Sequence, residues 1–336
     1  MLASTWWTSP VTGRLCERRD RRSQEYGARR GQLLIHVAMT PRTILRWTAR
    51  IVLGLAGVIV LAGAAVFSLS SWRQSHKFVV ADHPITPRTD SASLANGARL
   101  VRIHACMGCH GANLAGTVLV DNPVIGRLAA PNLTNGGRGA QLQPRDWERA
   151  IRHAVRADGT PLRVMPGNEF ATMADDEVES IVGYIKSQPA VNVAQPPTRL
   201  GPLIATLFVT GKVNLLPAEL IDHTKPHIAH MDAEPTAKYG QYLAAVCTGC
   251  HGPGLSGGKI PGGPPDMKTP ANITPTGIGR YSQDDFIKIL RTGVRPDGSH
   301  LDPAMPWQLM KSMTDVELAA LYAYLKTVPP REYGNR

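Results

Sequence analysis

The sequence predicts an all-α fold in which two similar helical domains follow one membrane-spanning helix. The first observation is an internal repeat, because short segments of residues 91–190 return in residues 238–330 at a nearly constant offset. The second is an uncharged apolar run, Ile51–Trp72, which is long enough to cross a bilayer as a helix. The third is the spacing of apolar residues at both ends of each repeat, which is typical of amphipathic helices.

Three pairs of segments carry the repeat and set the domain boundaries. Each segment of the first copy returns in the second: Asn132–Thr134 as Asn272–Thr274, Val155–Gly159 as Val294–Gly298, and Tyr184–Lys186 as Tyr324–Lys326. Because the offset is nearly the same for all three pairs, few insertions separate the copies and we expect both to share one fold. The predicted segments in chain order are a basic cytoplasmic segment (1–50), a transmembrane anchor (51–72), a tether (73–90), the first domain (91–190), a linker (191–237) and the second domain (238–330).

The positive charge of the chain lies mostly before the two domains. Residues 1–76 contain 11 Arg and three acidic residues, a net charge of +8 out of +11 for the whole chain. The remaining sequence is nearly balanced in charge. The composition therefore does not indicate a nucleic-acid-binding protein.

Basic residues before the apolar run predict its orientation. By the positive-inside rule, Arg42, Arg46 and Arg50 keep the N-terminus in the cytoplasm and place both domains on the periplasmic side of a bacterial membrane. A cleaved signal peptide is the alternative, because Ala62–Ala64 offers the small residues of a cleavage site. Residues 1–38 show no apolar periodicity, and Met39, with its own basic flank, is a second candidate start.

Each copy contains one Cys-x-x-Cys-His motif, with Cys106, Cys109 and His110 in the first copy and Cys247, Cys250 and His251 in the second. This spacing is typical of sites where a c-type haem is attached covalently. The two thiols add across the haem vinyl groups, and the imidazole is a ligand of the iron. The fifth cysteine, Cys16, lies in the basic N-terminal segment, so we expect no disulfide framework in the domains.

A methionine followed by proline lies at nearly the same distance after each motif. Met165 follows His110 in the first copy, and Met305 follows His251 in the second at a spacing that is shorter by one position. A thioether is a soft ligand that favours ferrous iron and raises its reduction potential. The sequence therefore predicts His110 with Met165, and His251 with Met305, as the axial ligands of two haem irons.

Other side chains compete for these positions. Met173 and Met313 also occur in both copies, but they stand directly before the closing helices, where a packing role is typical. His104 and His153 have no histidine counterpart in the second copy. A zinc site would need four close ligands and a redox dithiol would need a βαβ setting, and the sequence indicates neither.

Helical patterns frame each motif. One helix is predicted to run into each motif and another to close each domain. Thr314 with Glu317 forms a capping box for the closing helix of the second copy, and the Asp175–Asp176 pair begins the equivalent helix of the first. The Gly- and Pro-rich stretches 111–141 and 252–280 predict loops around the haem edges.

The linker contains an apolar segment, Leu203–Val213. This segment is too short to span a bilayer. We interpret it as a packing element in the groove between the domains, with a contact to the membrane or to a partner as the alternative.

These motifs resemble the class I cytochrome c family, in tandem, over about residues 91–330. The second copy, from Ala271–Pro275 to Pro303–Pro306, is similar to the cytochrome subunits of membrane-bound bacterial alcohol and sugar-acid dehydrogenases. The resemblance implies two class I cytochrome c domains that pass electrons from a catalytic subunit toward quinone or a terminal acceptor. Those subunits commonly carry three haem sites, whereas this chain has two motifs after an N-terminal apolar segment.

The sequence thus predicts a membrane-anchored electron carrier with two covalently bound haem c groups and their iron. Its expected partners are redox proteins, namely a dehydrogenase subunit, a quinol-oxidising complex or a terminal oxidase, together with the membrane and no nucleic acid. No nucleophile, phosphate-binding loop or further metal motif indicates catalysis. The alternative is a dihaem enzyme of the peroxidase or thiosulfate-oxidising type, in which one iron is open or unusually ligated.

Overall fold

The computed structural model describes residues 40–261, 263 and 266–336, and the chain divides into two compact units, Met1–Leu61 and Ala62–Arg336. The expectations for residues 1–38, including Cys16, and for Met39 lie outside the described residues. Helix α1 (Pro41–Ser75) contains the predicted apolar run. Its length and composition allow it to cross a membrane, and none of its most apolar 18-residue stretch is buried.

The first copy begins and ends with a helix of 13 residues: α2 (Ser91–Ile103) and α6 (Asp175–Ser187). Between them lie α3 (Cys106–His110), strands β1 (Thr117–Asn122) and β2 (Gly126–Ala130), a 3-10 turn (Arg138–Gln141), α4 (Pro144–His153) and α5 (Gly167–Phe170). Asp90 caps α2 by accepting a hydrogen bond from the Ser93 amide at 2.9 Å. The predicted helices into the first motif and at the end of the copy are therefore present.

A β-hairpin lies where the sequence predicted only a loop over residues 111–141. Strands β1 and β2 pair antiparallel, and β2 pairs in turn with the short strand β3 (Arg199–Leu200) of the linker. The segment Thr117–Val120 is rich in β-branched residues, which favour strands. Asn122 holds the turn because its Oδ1 accepts hydrogen bonds from the amides of Val124 and Ile125. The fold nevertheless remains mostly helical.

The linker is a structured segment that packs on the first copy. It contains helix α7 (Pro202–Val209) and a 3-10 turn (Pro217–Leu220). Phe208 is fully buried beside Leu215, whose carbonyl accepts a hydrogen bond from the Val164 amide at 2.9 Å. Arg73, near the end of α1, donates to the Phe208 carbonyl at 2.9 Å. The apolar linker segment does pack, but these contacts are with the first copy and with α1 instead of a groove between the domains.

The second copy repeats the helical elements of the first. It contains α8 (Ala237–Leu243), a 3-10 turn (Ala244–Cys247), α9 (Thr248–His251), α10 (Pro275–Ile278), α11 (Gln283–Thr292), α12 (Trp307–Met310) and α13 (Asp315–Leu325). The predicted capping box is formed, since Thr314 Oγ1 accepts from the Glu317 amide at 3.2 Å and Glu317 Oε2 accepts from the Thr314 amide at 2.6 Å. The described residues of this copy include no strand.

In each copy the first and last helices cross at a glycine. A Cβ atom at Gly97 of α2 would lie 2.1 Å from the Ser180 carbonyl oxygen of α6. A Cβ atom at Gly240 of α8 would lie 1.9 Å from the Ala320 carbonyl oxygen of α13. Two helix backbones thus approach more closely than any side chain at the crossing would allow, and they do so at equivalent places in both copies.

The two copies share one hydrophobic core. Leu100 and Val178 of the first copy and Leu318 of the second belong to the same cluster of buried side chains. Arg99 of α2 donates to both carboxylate oxygens of Glu317 of α13 at 2.7 Å, and Glu317 is 2% exposed. Since a buried carboxylate needs a partner, this ion pair ties one copy to the other.

Alanine in place of Gly97 or Gly240 should lower the free energy of unfolding by about 1–3 kcal/mol, because the added methyl group forces the two helices apart. Denaturant unfolding followed by circular dichroism measures the change. Gly63→Ala is the matched control, since no atom lies within 4 Å of a Cβ atom at this helical glycine. If the Gly97→Ala and Gly240→Ala variants both unfold at the same denaturant concentration as the parent protein, the close crossing of the helices is contradicted.

Candidate functional site

Both motifs follow the first helix of their copy through a tight backbone turn. In the first copy Ala105 adopts the left-handed conformation, with φ of 55°, between α2 and α3. In the second copy the 3-10 turn Ala244–Cys247 leads from α8 into α9. Each motif is followed by a glycine with φ of 81°, Gly111 and Gly252. Because positive φ strains any residue with a Cβ atom, these glycines let the chain turn directly after each histidine.

The two motif histidines have the same hydrogen bond. His110 Nδ1 lies 2.9 Å from the Pro131 carbonyl oxygen, and His251 Nδ1 lies 2.7 Å from the Ala271 carbonyl oxygen. A carbonyl oxygen only accepts, so each ring donates from Nδ1 and keeps a lone pair on Nε2. Burial lowers the pKa of both imidazoles, which favours the neutral form. Each ring is therefore oriented and protonated as a metal ligand needs to be.

The four motif cysteines form no disulfide bond. A structural zinc site needs four ligands close together. In the described part of the chain, the groups of three or more His, Cys, Asp or Glu side chains close enough to hold an ion include neither motif. The zinc alternative for the motifs therefore finds no support in the geometry.

One continuous cavity of about 1340 Å³ connects the two motifs. Pockets for single small ligands usually measure about 300–1,000 Å³, so this cavity has the size for more than one large group. All eight predicted site residues line it: Cys106, Cys109, His110, Met165, Cys247, Cys250, His251 and Met305. The structure thus brings both predicted sets of residues together in one space.

The side chains considered as alternative ligands of the iron lie in different places. Met173 and His104 also line the cavity, whereas Met313 and His153 are not among its lining residues. Burial lowers the pKa of His104 to about 4, so this ring is neutral. Of the methionines considered for the iron, only Met165 and Met305 reach the cavity from equivalent positions in both copies.

Arginine side chains also reach the cavity. Arg138, Arg156, Arg163 and Arg295 line it, whereas Arg102 is exposed and outside it. Arg156 and Arg295 occupy the same place in the repeated Val-Arg-x-Asp-Gly segment, a signal that could have identified them. Burial and the neighbouring guanidinium groups of Arg163 and Arg138 lower the pKa of Arg156. Such a concentration of cations suits the carboxylates of a bound ligand.

Glu169 was not identified from the sequence. This half-buried residue of α5, in the first copy, lies against the second motif, since a Cβ atom at Gly249 would be 2.1 Å from its Oε1. Burial raises the pKa of its carboxyl group to about 7. The equivalent position in the second copy is Leu309, which also lines the cavity.

The two asparagines of the repeat have a structural role. Asn132 Oδ1 accepts hydrogen bonds from the amide and hydroxyl of Thr134, and Asn272 Oδ1 does the same with Thr274. Both side-chain amides then donate to distant carbonyls, Val191 and Arg331. These asparagines therefore fasten the chain after the closing helix of each copy.

Comparison with known proteins gives two kinds of match. The profile of the cytochrome c family matches residues 94–189 and 237–329, more than half of the chain. The cytochrome c subunit of the quinone-dependent alcohol dehydrogenase of Gluconacetobacter polyoxogenes is 27% identical over 276 residues, 73% of this chain and 58% of that protein. The fructose dehydrogenase cytochrome subunit of Gluconobacter japonicus is 40% identical over 112 residues, 30% of this chain and 22% of that protein.

A third relative is the cytochrome c subunit of gluconate 2-dehydrogenase from Pantoea cypripedii, which is 44% identical over 111 residues, 30% of this chain and 25% of that protein. The chain thus spans between about a fifth and three fifths of the length of these relatives. The two profile matches each contain one Cys-x-x-Cys-His motif and the Met-Pro pair that follows it. The chain belongs to the cytochrome c family, with two cytochrome c domains in tandem and two covalently bound haem c groups.

Proposed function

We propose that this protein is a membrane-anchored dihaem cytochrome that carries single electrons from a dehydrogenase to a downstream acceptor. The observation that carries the proposal is the one cavity lined by both motifs and by both candidate axial methionines. The relatives are cytochrome subunits of alcohol, fructose and gluconate dehydrogenases, which supports a dehydrogenase subunit as the electron donor. A quinol-oxidising complex or a terminal oxidase is the proposed neighbour in the respiratory chain, and the protein itself is not catalytic.

The residues present fit two haem c groups. The pairs Cys106/Cys109 and Cys247/Cys250 would hold the vinyl groups of the two haems as thioethers. His110 would offer its Nε2 lone pair to the iron of the first copy and His251 to the iron of the second, with the sulfurs of Met165 and Met305 as the second ligands. The bound haem supplies a reversible one-electron change at iron.

Other side chains at the cavity control the charge and solvent around the haem groups. Trp147 and Phe170, both buried, line the cavity and keep water from its interior. Arg156 and Arg295 place a guanidinium group at equivalent points for the haem carboxylates. Both motifs line the same cavity, so bound haem groups would lie in one space, and an electron could pass between them inside the protein.

Helix α1 is the proposed anchor. Its uncharged run Ile51–Trp72 is longer than the apolar region of a signal peptide, which supports the uncleaved form. Arg42, Arg46 and Arg50 at its beginning favour a cytoplasmic N-terminus. Both cytochrome domains then lie on the periplasmic side.

The purified full-length protein in detergent should contain two c-type haems per chain and show two one-electron steps in an optical redox titration. Its ferrous form should not bind carbon monoxide, because the proposed ligands leave no open position on either iron. The haem count, the titration and the carbon monoxide difference spectrum check this. One haem per chain, or carbon monoxide binding by the parent protein, would favour the dihaem-enzyme alternative.

The single substitutions Met165→Ala and Met305→Ala should each remove half of the far-red absorbance band of methionine-ligated ferric haem. The potential of the affected haem should fall, because the thioether ligand that favours ferrous iron is lost. Carbon monoxide should then bind one haem per chain. Met173→Ala and Met313→Ala are the matched controls, and loss of the band in either of them would assign the sulfur ligand to that methionine instead.

The potential of the second haem should fall as pH rises through about 7. Burial raises the pKa of Glu169 to about 7, so the carboxyl group is neutral below this pH and negative above it. A negative charge beside the haem stabilises ferric over ferrous iron and lowers the potential. Redox titrations from pH 5 to 9 should show this fall in the parent protein. The control variant Glu179→Gln should show it too, because Glu179 pairs with Arg88 away from the cavity. The same fall in Glu169→Gln would show that another group titrates.

A further inference from the structure

A second cluster of ionisable side chains lies on the opposite face of helix α4 from the haem cavity. Trp147 and Ile151 of this helix line the cavity, whereas Glu148 and His153 belong to a group that could hold a metal ion. His227 from the linker completes this group, and His223 lies beside it. Histidines distant in sequence therefore meet at one place that the proposed function does not use.

The hydrogen bonds of the histidines leave one nitrogen without a proton. His223 Nε2 lies 3.1 Å from the Ala218 carbonyl oxygen, so it donates, and the neutral ring accepts at Nδ1. His153 Nδ1, at 2.8 Å from His223 Nδ1, must then be the donor. The remaining His153 Nε2 therefore keeps a lone pair, and it is buried without a hydrogen-bond partner.

That lone pair faces a buried carboxylate. Glu148 is fully buried and its Oε2 also has no hydrogen-bond partner. Glu148 Oε1 lies 3.4 Å from His153 Nε2 and 3.6 Å from His227 Nδ1. His153 Nε2 and Glu148 Oε2 are both buried without a hydrogen-bond partner, and unsatisfied buried polar atoms are costly, so a metal ion bound between the imidazole and the carboxylate would remove this cost.

The separations match the edges of a metal coordination shell. A tetrahedral zinc site with ligand distances of about 2.0–2.2 Å has neighbouring ligand atoms about 3.3–3.6 Å apart. The two distances from Glu148 Oε1 lie in this range and are longer than ordinary N–H···O hydrogen bonds. The three ligand atoms lie within 4.8 Å of one another.

Arg152 is the positive charge already present at this place. Its Nη2 donates to Asp175 at 2.6 Å, its Nε to the Met173 carbonyl at 2.9 Å, and its Nη1 to His227 Nδ1 at 2.6 Å and to Glu148 Oε1 at 3.5 Å. Asp175 pairs with the guanidinium group at 2.6 Å, more closely than Glu148 does at 3.5 Å, so Glu148 retains charge for an ion. When His227 turns its lone pair to the ion, Arg152 keeps its hydrogen bonds to Asp175 and to the Met173 carbonyl.

We propose that Glu148, His153 and His227 form a binding site for a divalent transition metal ion, with Zn²⁺ as the ion best suited to two imidazoles and one carboxylate. The fourth coordination position is open to water, since His227 is only half-buried. The ion joins the linker to α4 of the first copy. It is separate from the haem irons, because none of the three ligands lines the haem cavity.

Metal analysis of the full-length, tag-free protein tests the proposal. After incubation with Zn²⁺ and removal of free ion, we expect one zinc for every two haem irons. A chelator should remove the zinc and leave the iron, and adding Zn²⁺ back should raise the melting temperature. Glu148→Gln and His227→Ala should lower the affinity for Zn²⁺ at least about tenfold while the haem content stays the same.

His230→Ala is the matched control, since this linker histidine pairs with Asp176 at 2.6 Å and is not a proposed ligand. It should bind Zn²⁺ as the parent does. Substoichiometric zinc in the parent after saturation, or equal zinc in the parent and in both ligand variants, would overturn the proposal. Glu148 would then pair with Arg152 alone.

Discussion

The shared cavity is the constraint on which the rest of the structure depends. Its volume of about 1340 Å³ lies inside two small domains, and side chains that line an unfilled space lose their packing partners. The haem groups therefore form part of the hydrophobic core. Small domains commonly need such additional stabilisation. The first and last helices of each copy cross closely because Gly97 and Gly240 have no side chain at the crossing.

A cavity shared by the two copies requires a firm interface between them. The Arg99–Glu317 ion pair provides part of it, and the Tyr242 hydroxyl of the second copy provides another part by accepting a hydrogen bond from the Ala174 amide of the first at 2.8 Å. The same hydroxyl also donates to Glu177. Since Glu317 and Ala174 are buried, these bonds form in a setting of low dielectric, where they are strong and directional. A fixed interface keeps the distance between the two haem groups constant, which an electron-transfer pathway needs.

The sequence predicts the parts of this molecule that depend on local patterns. The motifs, the methionine spacing and the Thr314–Glu317 capping box are local or repeated signals, and the structure agrees with the predicted helices. The hairpin at Thr117–Ala130 was missed because Gly and Pro in this stretch suggested a loop, although its β-branched run favoured a strand. The packing of the linker on the first copy and the position of Glu169 beside Gly249 depend on contacts between distant residues, and no single-sequence pattern contains them.

The differences between the copies set the differences between their haem sites. A repeat alone would give two haem groups in equal surroundings and hence equal potentials. In this chain Arg138 and Arg163 line the first copy's side of the cavity, whereas Glu169, at the position of Leu309 in the repeat, lies on the second motif. Cations near a haem favour the ferrous state and a carboxylate favours the ferric state, and both effects are strong where water is excluded. The haem of the first copy should therefore be the better electron acceptor, so that electrons inside the protein move from the second copy to the first.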